Sequence, residues 1–284
     1  MQRQKPDLVI YHGGCTDGFT AAWAIWKIYG DKIEYFPGKY DAKNKILPDV
    51  AGKHVYLVDF SYPRAILEQF AAEAASVTIL DHHKTAQADI QPLLDNKTID
   101  GVFDMSRSGA GIAWDWFHLP TNRPDIINYV EDRDLWAWKL PDSRAISSWL
   151  SSFGTKDFSQ WDLVAKALEY DNRADIIVQG NALDRKMNLD CEKLADNAQW
   201  VEIGGVSAPL VNANVMFCSD LANLLARIPE APFGATYFVD ADGVQCFSLR
   251  SLPEKMDVSA IAKEYGGGGH RNAAGFGLQP GQSL

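Results

Sequence analysis

Cysteine is scarce in this chain. Its 284 residues hold four, Cys15, Cys191, Cys218 and Cys246, scattered and with no C-x-x-C pair. That excludes a zinc ribbon and a disulfide-stapled scaffold. No hydrophobic run is long enough to span a bilayer and the first residues, Met1 to Lys5, are polar, so the expected setting is cytoplasmic with no membrane partner. Basic charge is also short, with 27 Lys and Arg against 37 Asp and Glu and a formal net charge of −10. A surface of that sign disfavours long duplex nucleic acid but tolerates a small anion held by a cation and a few Arg residues. There is no internal repeat, and no low-complexity run longer than Gly266 to Gly269. Apolar residues are plentiful, at 46% with nine Trp, enough for a large core or two domains.

Short aliphatic runs punctuate the first half: Asp7–Tyr11, Lys32–Phe36, His54–Val58, Ser76–Leu80 and Thr98–Phe103 read as strands. Helical patterns lie between several of them. One begins at Phe19 and stops at Gly30, one is capped by Ser61 and runs from about Pro63 to Ala75, and one is capped by Ser108 and runs to Phe117. This alternation predicts an α/β fold with a doubly wound parallel sheet. Four strands end in an acid or imidazole: His12, Asp59, Asp81-His82-His83 and Asp104. In such sheets ligands bind at the carboxyl edge, so the repeated chemistry there points to a polynuclear metal site.

Further helices are expected over Asp125–Val130, Ser143–Phe153, Phe158–Leu168 and Arg173–Ala198. From Val201 the texture changes to short strands, Val206–Val211, Ala235–Val239 and Val244–Leu249. The last two are joined by an Asp242-Gly243 turn, and a helix over Ser219–Arg227 precedes them. A capped helix at Asp257–Ala262 leads to the glycine run and His270. The expected organisation is residues 1–178 as the first domain, 179–202 as a helical connector and 203–284 as a smaller α/β domain.

Each motif has a bland counterpart. Asp81 with two surface histidines is an ordinary helix cap; as chemistry, His82 faces a metal, His83 faces a substrate phosphate and Asp81 orients a ring from behind. Gly13-Gly14-Cys15-Thr16-Asp17 is an ordinary turn; as chemistry, it brings His12 and Asp17 to neighbouring metals. Asp59 is a helix cap or a bridging carboxylate. One of Asp132 and Asp134 completes a shell, and the letters do not say which; Trp136 and Trp138 read as packing, and Asp104 as a partner for Arg107. Gly267, Gly268 and Gly269 before His270 and Arg271 let backbone N–H groups approach a phosphate, with Arg250 as a bidentate contact and Ser108 counted beside them.

Taken together, His12, Asp17-Gly18, Asp59, Asp81-His82-His83, a later Asp and Gly267-Gly268-Gly269-His270 resemble the DHH phosphoesterases that carry a C-terminal DHHA1 domain, nano-RNase or oligoribonuclease-like. The resemblance implies two Mn²⁺ ions (or Mg²⁺) on His12, Asp17, Asp59, His82 and Asp132 or Asp134, with His83 on the scissile phosphate and Arg250 and His270 holding the substrate. One departure stands out. Cys15 occupies the place near which the family commonly has a first-loop acid, so it ligates weakly, favours a softer ion or does not ligate. The implied activity is hydrolysis of short single-stranded RNA or DNA, or of linear dinucleotides, to 5′-mononucleotides by a two-metal-activated water, in a monomer or homodimer. The alternatives are a RecJ-like single-strand exonuclease, a small-molecule nucleotide phosphatase, and a nucleotide sensor that has lost catalysis.

Overall fold

The computed structural model describes residues 4–39, 46–118 and 122–284, so the start of the polar N-terminus lies outside the described residues. The aliphatic runs form β1 Leu8–His12, β2 Glu34–Gly38, β3 His54–Val58, β4 Ser76–Asp81 and β5 Asp100–Phe103. They pair in parallel in the order β2-β1-β3-β4-β5. Side chains alternate across the pleat. Val9, Tyr56, Val58 and Leu80 enter one core with Trp23, Ile112 and Trp161. Leu8, Ile10, Val55, Leu57, Val77 and Ile79 enter another with Leu67, Phe70 and Ile90. Both faces are therefore buried, as a parallel sheet requires. The strand order reverses direction between β1 and β3, and His12 ends the first of these strands while Asp59 follows the second.

The helices of this half are α1 Thr16–Tyr29, α2 Arg64–Glu73, α3 Lys84–Asp95, α4 Gly109–Phe117, α5 Asp125–Asp134, α6 Ser143–Ser151, α7 Phe158–Tyr170 and α8 Arg173–Ala195. Four depart from the sequence pattern. α1 begins at Thr16, three residues before the apolar stripe, because Asp17 and Gly18 are already helical. Pro63, not Ser61, sits at the cap position of α2, and the buried Ser61 hydroxyl donates instead to the Tyr62 carbonyl. α3 follows the Asp-His-His strand with no counterpart in the sequence reading. α5 runs four residues further than expected and carries both Asp132 and Asp134.

The chain divides into two compact units, Met1–Leu183 and Asp184–Leu284, so the division falls inside α8. The second unit has a six-stranded mixed sheet in the order β10-β11-β9-β8-β7-β6. Its strands are β6 Gln199–Ile203, β7 Val206–Asn212, β8 Gly234–Val239, β9 Gln245–Arg250, β10 Gly268–His270 and β11 Ala273–Leu278, with helices α9 Cys218–Ala226 and α10 Val258–Glu264. β6 pairs antiparallel with β7 along its length, so residues 199–202 belong to this sheet and not to a connector. Phe247, Leu249, Ile261 and Phe276 pack in its core. Lys255 Nζ donates to the carbonyls of Ala226, Ile228 and Ala231 at 2.8, 2.8 and 2.6 Å, capping the C-terminal end of α9 and the turn after it.

Candidate metal centre

Asp59 follows β3 with a positive φ of 53°, a left-handed turn that Asp tolerates better than most residues. Its buried carboxylate lies between two histidines: Oδ1 is 3.1 Å from His82 Nε2, and Oδ2 is 3.4 Å from His12 Nδ1. His82 Nε2 also lies 3.5 Å from Asp134 Oδ2 and 3.7 Å from Asp17 Oδ2. Two sets of ligand atoms are thus close enough to hold an ion each, His12 with Cys15 and Asp59, and Asp17 with His82 and Asp134. Asp59 touches both, the position of a bridging carboxylate.

Asp17 is fixed from the opposite side. The first turn of α4 donates Gly109 N–H to Asp17 Oδ2 at 2.7 Å and Ala110 N–H to Oδ1 at 3.0 Å. A helix N-terminus favours a carboxylate there. Gly109 is required for the approach, since a Cβ on it would stand 2.3 Å from Asp59 Cβ. Gly18 serves the same end, as its Cβ would meet His12 Cβ at 2.6 Å. Gly18 belongs to the Asp17-Gly18 motif, but Gly109 did not stand out in the sequence; the signal was Ser108-Gly109-Ala110-Gly111, two poor helix formers opening an otherwise apolar helix.

This geometry gives Ser108 a structural part. It is wholly buried; its hydroxyl accepts from Gly111 N–H at 3.1 Å as the cap of α4, and its N–H donates to Glu131 Oε2 at 2.9 Å. Arg123 holds Glu131 at 2.6 Å and grips Asp115 with two further donors. This buttress sets where α4 begins.

The two acids of α5 part company. Asp132 is buried and accepts from the N–H groups of Lys139 and Leu140 and from Ser143 Oγ, so it pins the turn that follows α5. Asp134 is the one that faces His82. Asp81 accepts from His83 Nδ1 at 2.7 Å and from His82 N–H at 2.7 Å, which sets the His83 ring. Asp104 is committed to Ser106 and Arg107.

Burial pushes the Asp17 carboxyl well above the usual range, with the charges of Asp59 and Asp134 adding to it. Burial would raise Asp59 too, but hydrogen bonds with His12 and His82 outweigh it and hold it far below its ordinary value. Burial would lower His82; the Asp59 hydrogen bond and the charges of Asp134 and Asp17 reverse that and push it up to about 10. The Cys15 thiol is pushed well up by burial and then by the three aspartates, so it is a weak ligand as it stands. These crowded carboxylates, with no Lys or Arg hydrogen-bonded to Asp17 or Asp59 among the described residues, fit a divalent cation. Asp59 Oδ2, with only the 3.4 Å approach of His12 Nδ1, and Asp81 Oδ2 are buried and short of hydrogen-bond partners among the described residues. Oxygen and imidazole donors suit Mg²⁺, Mn²⁺ or Zn²⁺.

In the second unit, Arg250 donates to the Leu249 carbonyl and to Ser219 Oγ, both at 2.9 Å. Gly268 to His270 form a strand paired with Ala273 to Gly275. The glycines serve that pairing: a Cβ on Gly267 would lie 2.1 Å from the Gly275 carbonyl, and one on Gly269, whose φ is +136°, would lie 2.5 Å from that of Ala273. Arg271 turns to the Lys255 carbonyl and toward Asp257.

Fold and centre together set carboxylates and imidazoles that fit divalent cations at the carboxyl edge of a parallel sheet. No family model matches the chain. The uncharacterized protein R106 of Acanthamoeba polyphaga mimivirus is 31% identical over 298 aligned residues, covering 96% of this chain and 68% of R106. The oligoribonuclease NrnB of Bacillus subtilis is 23% identical over 74% of this chain, which spans only 54% of NrnB. Among solved structures, an exopolyphosphatase-related protein from Bacteroides fragilis superposes with a TM-score of 0.52 at 14% identity, covering 98% of this chain and 89% of that one. The chain belongs to one family with R106.

Proposed function

We propose that the protein is a phosphodiesterase that hydrolyses short oligonucleotides or linear dinucleotides to 5′-mononucleotides. The observation that carries this reading is Asp59 held between His12 and His82 where the strand order reverses. The substrate class draws support from NrnB, an oligoribonuclease, and from a net charge of −10, which favours short over long nucleic acid.

In this reading His12, Asp17, Asp59, His82 and Asp134 hold two divalent cations, Mn²⁺ or Mg²⁺, with Cys15 beside the first. When bound, such a pair neutralises charge on phosphoryl oxygens and acidifies a water. The protein's own groups do the rest. α4 fixes Asp17 through two N–H groups, which keeps that carboxylate in place as charge builds up at phosphorus. Asp81 accepts a hydrogen bond from His83 Nδ1, and its charge favours the protonated ring, a donor suited to the scissile phosphate. The part of the second unit is substrate binding, by Arg250 and His270.

The test is release of mononucleotide from an end-labelled dinucleotide with Mn²⁺ present. The expected product carries a 5′-phosphate, and chelation abolishes its formation. No cleavage with metal, or a 3′-phosphate product, would remove the proposal.

A further inference from the structure

The N-terminus of α4 is capped by another helix. Its own cap, Ser108, accepts from Gly111 N–H and so meets half of the need. In a self-contained cap the residue at the place of Gly111 is a Glu or Gln that reaches back to the Ser N–H. Here that place has no side chain, and Ser108 N–H donates to Glu131 Oε2 at 2.9 Å. Glu131 belongs to α5. Gly111 makes room for it: a Cβ there would collide with Glu131 Oε2 and stand 3.1 Å from both terminal nitrogens of Arg123. Glycine costs helix stability at that place, so a local cap has been given up for one made between helices.

The other oxygen of Glu131 is tied as well. Oε1 accepts from Arg123 Nη1 at 2.6 Å, while Arg123 Nε and Nη2 donate to the two oxygens of Asp115 at 2.9 and 2.6 Å. Asp115 lies on α4. The two helices are therefore joined twice, at Ser108 and, through Arg123, at Asp115. A planar two-pronged contact fixes direction as well as distance.

Both helices serve the same cation site. The two N–H groups that follow Ser108, those of Gly109 and Ala110, grip Asp17. α5 carries Asp134 three residues after Glu131, on the same side of the helix, with their Cβ atoms roughly 5–6 Å apart. Asp17 Oδ2 and Asp134 Oδ2 lie 3.7 and 3.5 Å from His82 Nε2. We propose that Glu131 and Arg123 are positioning residues that fix the span between the Asp17 and Asp134 carboxylates, and so decide which divalent cations fit there. This deepens the two-cation reading of the centre and rests on it. Ca²⁺ takes long bonds in a flexible geometry, whereas smaller divalent ions need ligands held close. Loosening the joint therefore costs Mn²⁺ more than Ca²⁺.

Titration calorimetry of the full chain with Mn²⁺ and with Ca²⁺ reads this without turnover. Glu131→Ala should weaken one of two Mn²⁺ affinities by about tenfold or more and leave the other within about threefold. The preference of that site for Mn²⁺ over Ca²⁺ should fall by about threefold or more. Glu131→Gln keeps an acceptor for Ser108 N–H and loses the charge facing Arg123, so it should fall between wild type and Glu131→Ala. Asp162→Asn weakens the 2.7 Å Lys27 ion pair between α1 and α7, and it should lower the melting temperature while leaving metal affinity and preference unchanged. Wild-type affinities and preference in folded Glu131→Ala would overturn the proposal, as would equal losses in Asp162→Asn. Should Glu131→Ala not fold, Glu131→Gln decides by the same criterion. Wild-type protein that binds fewer than two ions would overturn the centre itself, and the span with it.

Discussion

Gly109→Ala is a small change with a large expected effect. The added methyl would sit 2.3 Å from Asp59 Cβ and 2.9 Å from Asp59 Cα, where ordinary contact begins at 3.4 Å. Asp59 stands in a left-handed turn and its carboxylate is held by two histidines, so it has little room to retreat. The first turn of α4 must therefore move out by roughly 1 Å, and an N–H that donates at 2.7 Å is then out of range. Losing one or both bonds to the buried Asp17 carboxylate removes roughly 1.5–3 kcal/mol each, and overpacking adds about 1–3 kcal/mol. The better helix propensity of Ala returns at most about 1 kcal/mol. A net loss of about 3 kcal/mol in the Met1–Leu183 unit corresponds to a fall in melting temperature of roughly 6–12 °C. Gly154→Ala is the control, because its Cβ would meet nothing within 4 Å, and a shift of no more than about 0.5 kcal/mol is expected. Calorimetry of the two variants, with Mn²⁺ titrations on each, reads both stability and affinity. If Gly109→Ala melts with the control and keeps its metal affinity, the close approach of α4 to Asp59 is not what holds Asp17.

Three further outcomes can be checked. Protonated His82 cannot ligate, and its neighbours push its pKa up to about 10, so Mn²⁺ affinity should rise by up to about tenfold per pH unit between pH 7 and 9; a flat affinity across that range would contradict ligation by His82. Asp81→Asn should lower kcat on a dinucleotide by about 10–100-fold with little change in fold, because it frees the His83 ring; unchanged kcat would dismiss the orienting role. Lys255→Met removes the ammonium shared by three carbonyls at the end of α9 and in the turn after it, and urea denaturation should show a loss of about 2 kcal/mol or more in the second unit.

Much of the first unit was legible because each strand is an aliphatic run that stops abruptly at a side chain with chemistry. β3 and β4 announce themselves that way, and so do Asp59 and His82. α3 escaped because only Ile90 and Leu93 of it are buried, too narrow a stripe to stand out against its polar residues and Pro92. β6 escaped for the converse reason: it is an edge strand with Gln199, Trp200 and Glu202 exposed, so it lacks the apolar run that marks a strand. Asp132 and Asp134 are two residues apart on a helix and so point to opposite sides; the spacing says that only one meets the sheet edge, but tertiary packing decides which. Ser108 was correctly placed as a cap, its hydroxyl accepting from Gly111 N–H. The contribution of Gly109 is a matter of distance between two chain segments, and no local pattern encodes that.

The central claim is that the carboxyl edge of β1, β3 and β4 assembles a pair of cation sites around Asp59. Metal content by mass spectrometry, after equilibration with Mn²⁺ and removal of free ion, tests it most directly. Two bound ions per chain in the wild type, and loss of both in a folded Asp59→Ala variant, is the predicted result. Wild-type protein that retains no ion, or Asp59→Ala protein that retains as many as the wild type, would contradict it.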